Sequence, residues 1–138
     1  MFTAVPAEGE AWSTDHDLCR VSIENTATDW QSLTATNPAA DSGPRFSPDG
    51  KHLAWRAQKR PGYEADRWTI LVADVKPDGT LVGSPRNLTA GEDVSASEIA
   101  WLEDADFKPY VAFLYEEKAS SFLGKAFLDS RGVQFDRF

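Results

Sequence analysis

The ten residues Phe46-Ser47-Pro48-Asp49-Gly50-Lys51-His52-Leu53-Ala54-Trp55 read as a strand, a tight turn and a second strand. Pro48 fixes φ near the value that the second turn position needs. Asp49 can bond backbone two residues on, and Gly50 takes positive φ without a Cβ clash. Beyond the turn, alternation puts Leu53, Trp55 and Ala57 on one face and His52, Ala54 and Arg56 on the other. The hairpin carries no chemistry of its own. It decides the fold because the chain repeats it.

Ser32-Leu33-Thr34 returns as Asn87-Leu88-Thr89, 55 positions on, and Phe46 returns as Trp101 at the same distance. Leu53-Ala54-Trp55 returns as Val111-Ala112-Phe113, 58 positions on, so the turn between has lengthened to Glu103–Pro109. Ile70-Leu71-Val72-Ala73 returns near Leu123-Gly124-Lys125-Ala126. Each unit reads as four short strands. In the middle unit these are Pro44–Ser47, His52–Ala57, Trp68–Val75 and Ser84–Thr89; in the third, Glu98–Leu102, Tyr110–Glu116, Phe122–Asp129 and Val133–Phe138. Phe2-Thr3-Ala4 has the spacing of Trp55-Arg56-Ala57, so the chain opens inside a second strand.

Four-stranded units of roughly 40–50 residues are the signature of β-propeller blades. The expectation is an all-β chain of about two and a half four-stranded blades: an incomplete blade over 1–34, a complete one over 43–89 and a third over 97–138. A single β-sandwich is the other reading of short, evenly spaced strands, and the aligned turns weigh against it. A blade buries its faces against neighbours, and a closed ring needs at least about four. Open blade faces therefore imply self-association or further blades.

The 138 residues are 41% hydrophobic with five Trp and eight Phe, enough for a packed core. A net charge of -8 argues against a nucleic-acid or anionic-membrane partner. Cys19 is the one cysteine, which excludes an internal disulfide and a thiolate metal site; a half-buried strand residue is expected. No apolar run approaches the ~20 residues of a membrane helix. Met1-Phe2-Thr3-Ala4-Val5-Pro6 lacks the basic and long apolar regions of a secretory signal, which favours a cytoplasmic location.

The run Gly43-Pro44-Arg45-Phe46-Ser47-Pro48-Asp49-Gly50-Lys51, continued by Leu53-Ala54-Trp55 and by the loop Gly62-Tyr63-Glu64-Ala65-Asp66, resembles the propeller of dipeptidyl peptidase V-like enzymes, serine peptidases of the prolyl oligopeptidase family. Ala11-Trp12-Ser13-Thr14-Asp15 and Asn37-Pro38-Ala39-Ala40-Asp41 fit the same pattern. The resemblance covers most of the chain and weakens after about Leu102. It implies a propeller that gates peptides for an α/β-hydrolase domain bearing Ser, Asp and His. The implied partners are that domain, further blades of a parent chain, and peptide substrates. The Phe46–Lys51 hexapeptide is also similar to TolB-type repeats, which leaves a non-enzymatic interaction propeller as the alternative.

The residues themselves supply no triad. The nucleophile elbow needs Gly-x-Ser-x-Gly, and no Ser here has Gly at both flanking positions. No cofactor motif is present. Asp15-His16-Asp17 and the turn bearing Glu103, Asp104 and Asp106 offer too few convergent oxygens for a metal, and both read as solvated. Asn87-Leu88-Thr89 fits a glycan acceptor, but its recurrence in the preceding unit reads as a strand end. The loop from Gln58 to Arg67 has two readings. As structure, Tyr63 packs on the blade and the charges pair. As a site, it shares a face with the connection Ala90–Ser95, and Glu64 is the substrate-binding candidate, able to hold a cation such as a peptide amino terminus.

Overall fold

A computed structural model describes residues 1–5, 13–24 and 30–136. Ala11-Trp12 of the resemblance, and Arg137-Phe138 at the end of the last expected strand, lie outside the described residues. The described residues hold strands and no helix, so none is long and apolar enough to cross a membrane. The strands are β1 (Phe2–Ala4), β2 (Asp17–Arg20), β3 (Gln31–Ser32), β4 (Asp41–Phe46), β5 (His52–Ala57), β6 (Thr69–Val75), β7 (Leu81–Asn87), β8 (Ala96–Glu103), β9 (Pro109–Glu117), β10 (Ser120–Phe127) and β11 (Val133–Asp136). They form three antiparallel meanders: a three-stranded sheet β1-β2-β3, and two four-stranded sheets, β4-β5-β6-β7 and β8-β9-β10-β11. This is the all-β, blade-like architecture expected from the repeat.

The hairpin turn forms as its residues dictate. The Gly50 amide donates to the Ser47 carbonyl at 2.9 Å, with Gly50 at φ 70°. The Ser47 hydroxyl donates to Asp49 Oδ1 at 2.7 Å and accepts the His52 amide at 2.9 Å. β4 begins at Asp41 rather than Pro44 because a bulge between Ser42 and Arg45 absorbs Gly43-Pro44 and lets the ladder continue.

The recurring Thr explains itself in the ladder. Leu18 N–H donates to Thr34 Oγ1 at 3.0 Å, and Ile70 N–H donates to Thr89 Oγ1 at 3.0 Å. Leu33 N–H reaches the Leu18 carbonyl and Leu88 N–H the Ile70 carbonyl, both at 2.8 Å. In each unit the hydroxyl satisfies a buried amide where the outer strand turns away. Ser32 Oγ and Asn87 Oδ1 then accept the amide of the Thr two residues on. The Asn87 side chain is thus part of the strand end, as the repeat indicated. The link to the next blade also repeats: Asp41 N–H donates to the His16 carbonyl and Ala96 N–H to the Trp68 carbonyl.

The core lies in the two seams between sheets. Leu18 of β2 packs with Leu53, Trp55, Ala57 and Ala73 of the middle sheet. On that sheet's opposite face, Ala54 and Ile70 pack with Ile99, Val111, Phe113 and Tyr115 of the third. Alternation along β5 thus feeds both seams, as a blade between two neighbours requires. Cys19 is fully buried on the face of β2 away from Leu18, more deeply than a half-buried strand residue.

Two expectations are corrected. Asp15-His16-Asp17 is not a solvated loop: Asp17 opens β2 and is only 6% exposed, and its carboxylate accepts the Ser32 hydroxyl at 2.7 Å and the Thr34 hydroxyl at 3.2 Å. The hydroxyls that mark the strand end make this burial tolerable. Tyr63 does not pack on the blade. It stays half-exposed, with the Arg60 guanidinium 4.1 Å from its ring centre.

Candidate functional site

The loop between β5 and β6 is built around one carboxylate. Asp66 Oδ2 accepts the amides of Lys59 (2.9 Å) and Arg60 (2.8 Å), and Oδ1 accepts Arg60 Nε (2.9 Å) with the guanidinium alongside. Burial opposes the ionised form, but the Arg60 side chain and these amides outweigh it and hold the Asp66 carboxyl well below the usual carboxylate range. Buried Gln58 closes the base of the loop, donating Nε2 to the carbonyls of Glu64 (3.1 Å) and Asp66 (2.8 Å). Asp66, Arg60 and Gln58 therefore fix the loop from within.

The same face carries the connection from β7 to β8. Arg67 donates to the Glu92 carbonyl and lies 3.5 Å from the Asp93 carboxylate. A 720 Å³ cleft runs between the two segments, lined by Asn37, Lys59, Arg60, Asp66, Asn87 and Asp93 among others. The shared face inferred from the strand order is thus a physical cleft.

Glu64 sits beside this cleft in a second pocket of 320 Å³, with Ser13, Thr14, His16, Ser42 and Trp68. That pocket bridges the first two blades. The Gly62 amide donates to Thr14 Oγ1 at 2.9 Å, which ties the loop to the segment before β2. The Glu64 backbone is held by Gln58, while its carboxylate is exposed and has no hydrogen-bond or ion-pair partner among the described residues. An exposed carboxylate on a fixed backbone can accept charge-assisted hydrogen bonds from a cationic group, while the neighbouring Trp68 ring already carries the Arg56 guanidinium 5.1 Å from its centre. Of the two histidines, His16 lines the Glu64 pocket and His52 does not. His16 Nδ1 lies 2.9 Å from the Thr14 carbonyl, and His52 Nδ1 lies 2.8 Å from Asp74 on a different part of the middle sheet. Among the described residues, no group of three or more His, Cys, Asp or Glu is arranged to hold a metal ion.

The acidic turn around Asp104 is a clamp. Asp104 Oδ1 accepts the amides of Asp106 and Lys108, both at 2.9 Å, and Oδ2 pairs with Arg131, which also holds Asp129. The Arg131 hydrogen bond and these amides keep the Asp104 carboxyl below its ordinary value.

A polar lock in the first seam escaped the sequence reading. Asp41 is fully buried; its Oδ1 accepts Trp55 Nε1 at 2.7 Å and Oδ2 accepts Asn37 Nδ2 at 3.0 Å. Burial pushes the Asp41 carboxyl up to about 6, against the hydrogen bonds from Asn37, Trp55 and Thr34, while nearby Asp17 adds to the rise. Its signal was available in the repeat: Asp41 stands where the next unit has Ala96, 55 positions on.

The fold is a series of propeller-type blades, with a pocket that includes Glu64 between the first two of them. Over 65 residues, 47% of its length, the chain is 35% identical to the dipeptidyl-peptidase 5 of Porphyromonas gingivalis. Over 67 residues, 49% of its length, it is 33% identical to the dipeptidyl-peptidase 5 of Schizosaccharomyces pombe. The matched part spans 9% of each relative's length. No protein-family profile matches the chain, and no solved structure matches it significantly.

Proposed function

We propose that this chain is a segment of the substrate-gating propeller of a dipeptidyl-peptidase 5-like serine peptidase, and that it is not catalytic alone. The observation that carries the reading is the partial identity to dipeptidyl-peptidase 5 in two distant organisms, over a length greater than one blade. In this reading an α/β-hydrolase domain supplies the Ser, Asp and His, and the loop-side face orients peptides toward it. Glu64 receives the peptide's amino terminus, the one cation that every such substrate carries.

The experiment is a calorimetric titration of the 138-residue chain with a free dipeptide amide, and with its N-acetylated form as control. Binding of the free amine, absent for the acetylated form and weakened about tenfold or more in Glu64→Gln, is the expected result. Equal binding of both forms, or no effect of Glu64→Gln, would count against the assignment of Glu64. Release of product from a chromogenic dipeptide substrate by this chain alone would overturn the non-catalytic reading. Absence of any peptide binding would favour the TolB-like interaction module.

A further inference from the structure

The second seam carries an acidic pocket at the place where amides tie the first. In the first seam Asn37 Nδ2 donates to Asp41 Oδ2 at 3.0 Å and to the Gln58 carbonyl at 3.2 Å, and Gln58 Nε2 donates to two carbonyls of its own loop. The repeat puts Glu92 at the place of Asn37, 55 positions on. It puts Tyr115, Glu116 and Glu117 at the places of Ala57, Gln58 and Lys59, 58 positions on. The two amides are thus replaced by carboxylates. The long loop after Gln58 has no counterpart either, since β9 ends at Glu117 and β10 starts at Ser120. A 380 Å³ pocket remains, lined by Glu92 and Asp93 from the β7-β8 connection, Glu116 and Glu117 from the end of β9, and the rings of Tyr115 and Phe135.

Arg67 lies 3.5 Å from Asp93 and Lys118 lies 3.9 Å from Glu117, which offsets two of the four carboxylates. The carboxylates of Glu92 and Glu116 have no hydrogen-bond or ion-pair partner among the described residues. Tyr115 gives an independent sign of a ligand. It is 1% exposed, with Phe113, Phe122 and Phe135 around its ring at 6.0, 5.6 and 5.2 Å between centres. Its hydroxyl is buried and has no hydrogen-bond partner among the described residues. A buried phenol ordinarily finds one, and leaving it unpaired is unfavourable. Packing alone does not call for this hydroxyl, because phenylalanine would fill the same space.

An acidic wall repels an anion, so the hydroxyl serves a cationic donor as acceptor. The chain itself shows which cation such surroundings hold. The Arg131 guanidinium lies 4.0 Å from the Phe127 ring centre and pairs with Asp104 and Asp129. That of Arg60 lies 4.1 Å from the Tyr63 ring centre and pairs with Asp66. Each time a ring and one or two carboxylates hold an arginine, because a guanidinium is planar, weakly hydrated and rich in donors. We propose that the pocket between the second and third sheets binds the guanidinium of an arginine side chain carried by a peptide. Glu92 and Glu116 accept its N–H groups, the Tyr115 hydroxyl accepts another, and Phe135 flanks it. Free arginine would bring a carboxylate that this wall repels, so the side chain comes on a peptide. The site rests on the pocket and not on the peptidase reading.

The probe is Nα-acetyl-arginine amide, which carries the guanidinium and no free amine. It is added up to about 10 mM to the 138-residue chain labelled with 13C at tyrosine and followed by NMR. Of the three tyrosines, Tyr115 is expected to shift and Tyr110, on the opposite face of β9, to stay. Nα-acetyl-citrulline amide, of the same shape without the charge, is expected to bind about tenfold more weakly or worse. Glu116→Gln, at an exposed residue, should weaken arginine binding by a similar factor, read on Tyr115. Tyr115→Phe keeps the ring and the fold, checked by circular dichroism, and should weaken binding about threefold, read by calorimetry. Citrulline or the matching lysine amide binding as tightly as arginine would overturn the proposal, as would no Tyr115 shift at the highest concentration. Binding that survives both Glu116→Gln and Tyr115→Phe would place the cation elsewhere and overturn it too. Failure of a free dipeptide amide to bind bears on Glu64 and the peptidase reading; failure of the blocked arginine bears on this pocket.

Discussion

The second and third sheets place the same strands in the same order, yet fill matching positions with different chemistry. In the second, Trp55 is fixed by a hydrogen bond to buried Asp41. In the third, the matching pair is Phe113 and Ala96, with no polar contact available. Phe113 is held by shape instead. Its ring lies over Gly124, where an added Cβ would sit 2.2 Å from Cζ, and it contacts Tyr115 and Phe135 at 6.0 and 6.2 Å between ring centres. The residue matching Gly124 in the second sheet is Leu71. A blade seam can thus be specified by a polar lock or by aromatic packing over a glycine. Exchanging parts between the two shows how far each depends on its own solution.

The largest effect is expected from giving the third sheet the second's residue. Gly124→Leu drives a side chain into the space of the Phe113 ring, which is 1% exposed and cannot move to solvent. Overpacking of a closed core typically costs 1–3 kcal/mol, and a direct overlap with a buried ring belongs at or beyond the upper end, so about 3 kcal/mol or more is expected. Urea denaturation measures it. Gly124→Ala should fall between wild type and Gly124→Leu. A Gly124→Leu chain as stable as wild type would show that Phe113 is not fixed by the glycine.

This contrast also marks what the sequence disclosed. The Pro48-Asp49-Gly50 turn, the alternation along Leu53–Ala57 and the recurring Ser/Asn-Leu-Thr are local signals, and the sheets follow them closely. Gly124 looked like an ordinary strand residue, because its reason is a ring eleven residues away across the β9-β10 ladder. Asp17 read as solvated because burial of a carboxylate depends on hydroxyls, Ser32 and Thr34, brought by another strand. Asp41 could be placed at a strand start but not inside a seam. Glu64 was legible as a charge in a long loop; its pocket depends on Ser13, Thr14 and His16 of the preceding blade, which no local pattern connects to it.

The polar lock should show itself in pH dependence. The folded-state pKa of Asp41, about 6, lies above the ordinary aspartate value of 3.8, so the folded form binds the proton more tightly. Its contribution to stability is complete below about pH 4 and is lost as pH rises through about 6, on the order of 2–3 kcal/mol. Asp66 has the opposite sign. Its lowered pKa gives stability above the ordinary carboxylate range, lost as pH falls below it. Stability should therefore rise from pH 7 to about pH 5 and fall again under more acid conditions. Asp41→Asn, which retains an acceptor for Trp55, should remove the rise and leave the acid fall. The third sheet has Ala96 at this place, so an unchanged profile in Asp41→Asn would mean the lock is no more titratable than its apolar counterpart.

The smallest effect separates the same two sheets at their turns. Gly50 and Phe107 both occupy the left-handed position that closes a hairpin, at φ 70° and 58°. For Gly50 that conformation is free of steric cost. For Phe107 the Cβ crowds the backbone, at roughly 1–2 kcal/mol for an ordinary L-residue. The ring recovers little of this, because it is 81% exposed. The turn persists because Asp104 accepts two of its amides and is itself held by Arg131. Phe107→Gly should therefore stabilise the chain by about 1 kcal/mol, offset in part by the greater freedom of glycine when unfolded, and raise the thermal midpoint by a few degrees. Gly50→Phe should lower it by a comparable amount, since the backbone demand is shared and nothing lies within 4 Å of a Cβ there. If Phe107→Gly instead destabilises the fold, the exposed ring contributes to folding in a way its surroundings do not show, and the two turns are not equivalent positions of one repeat.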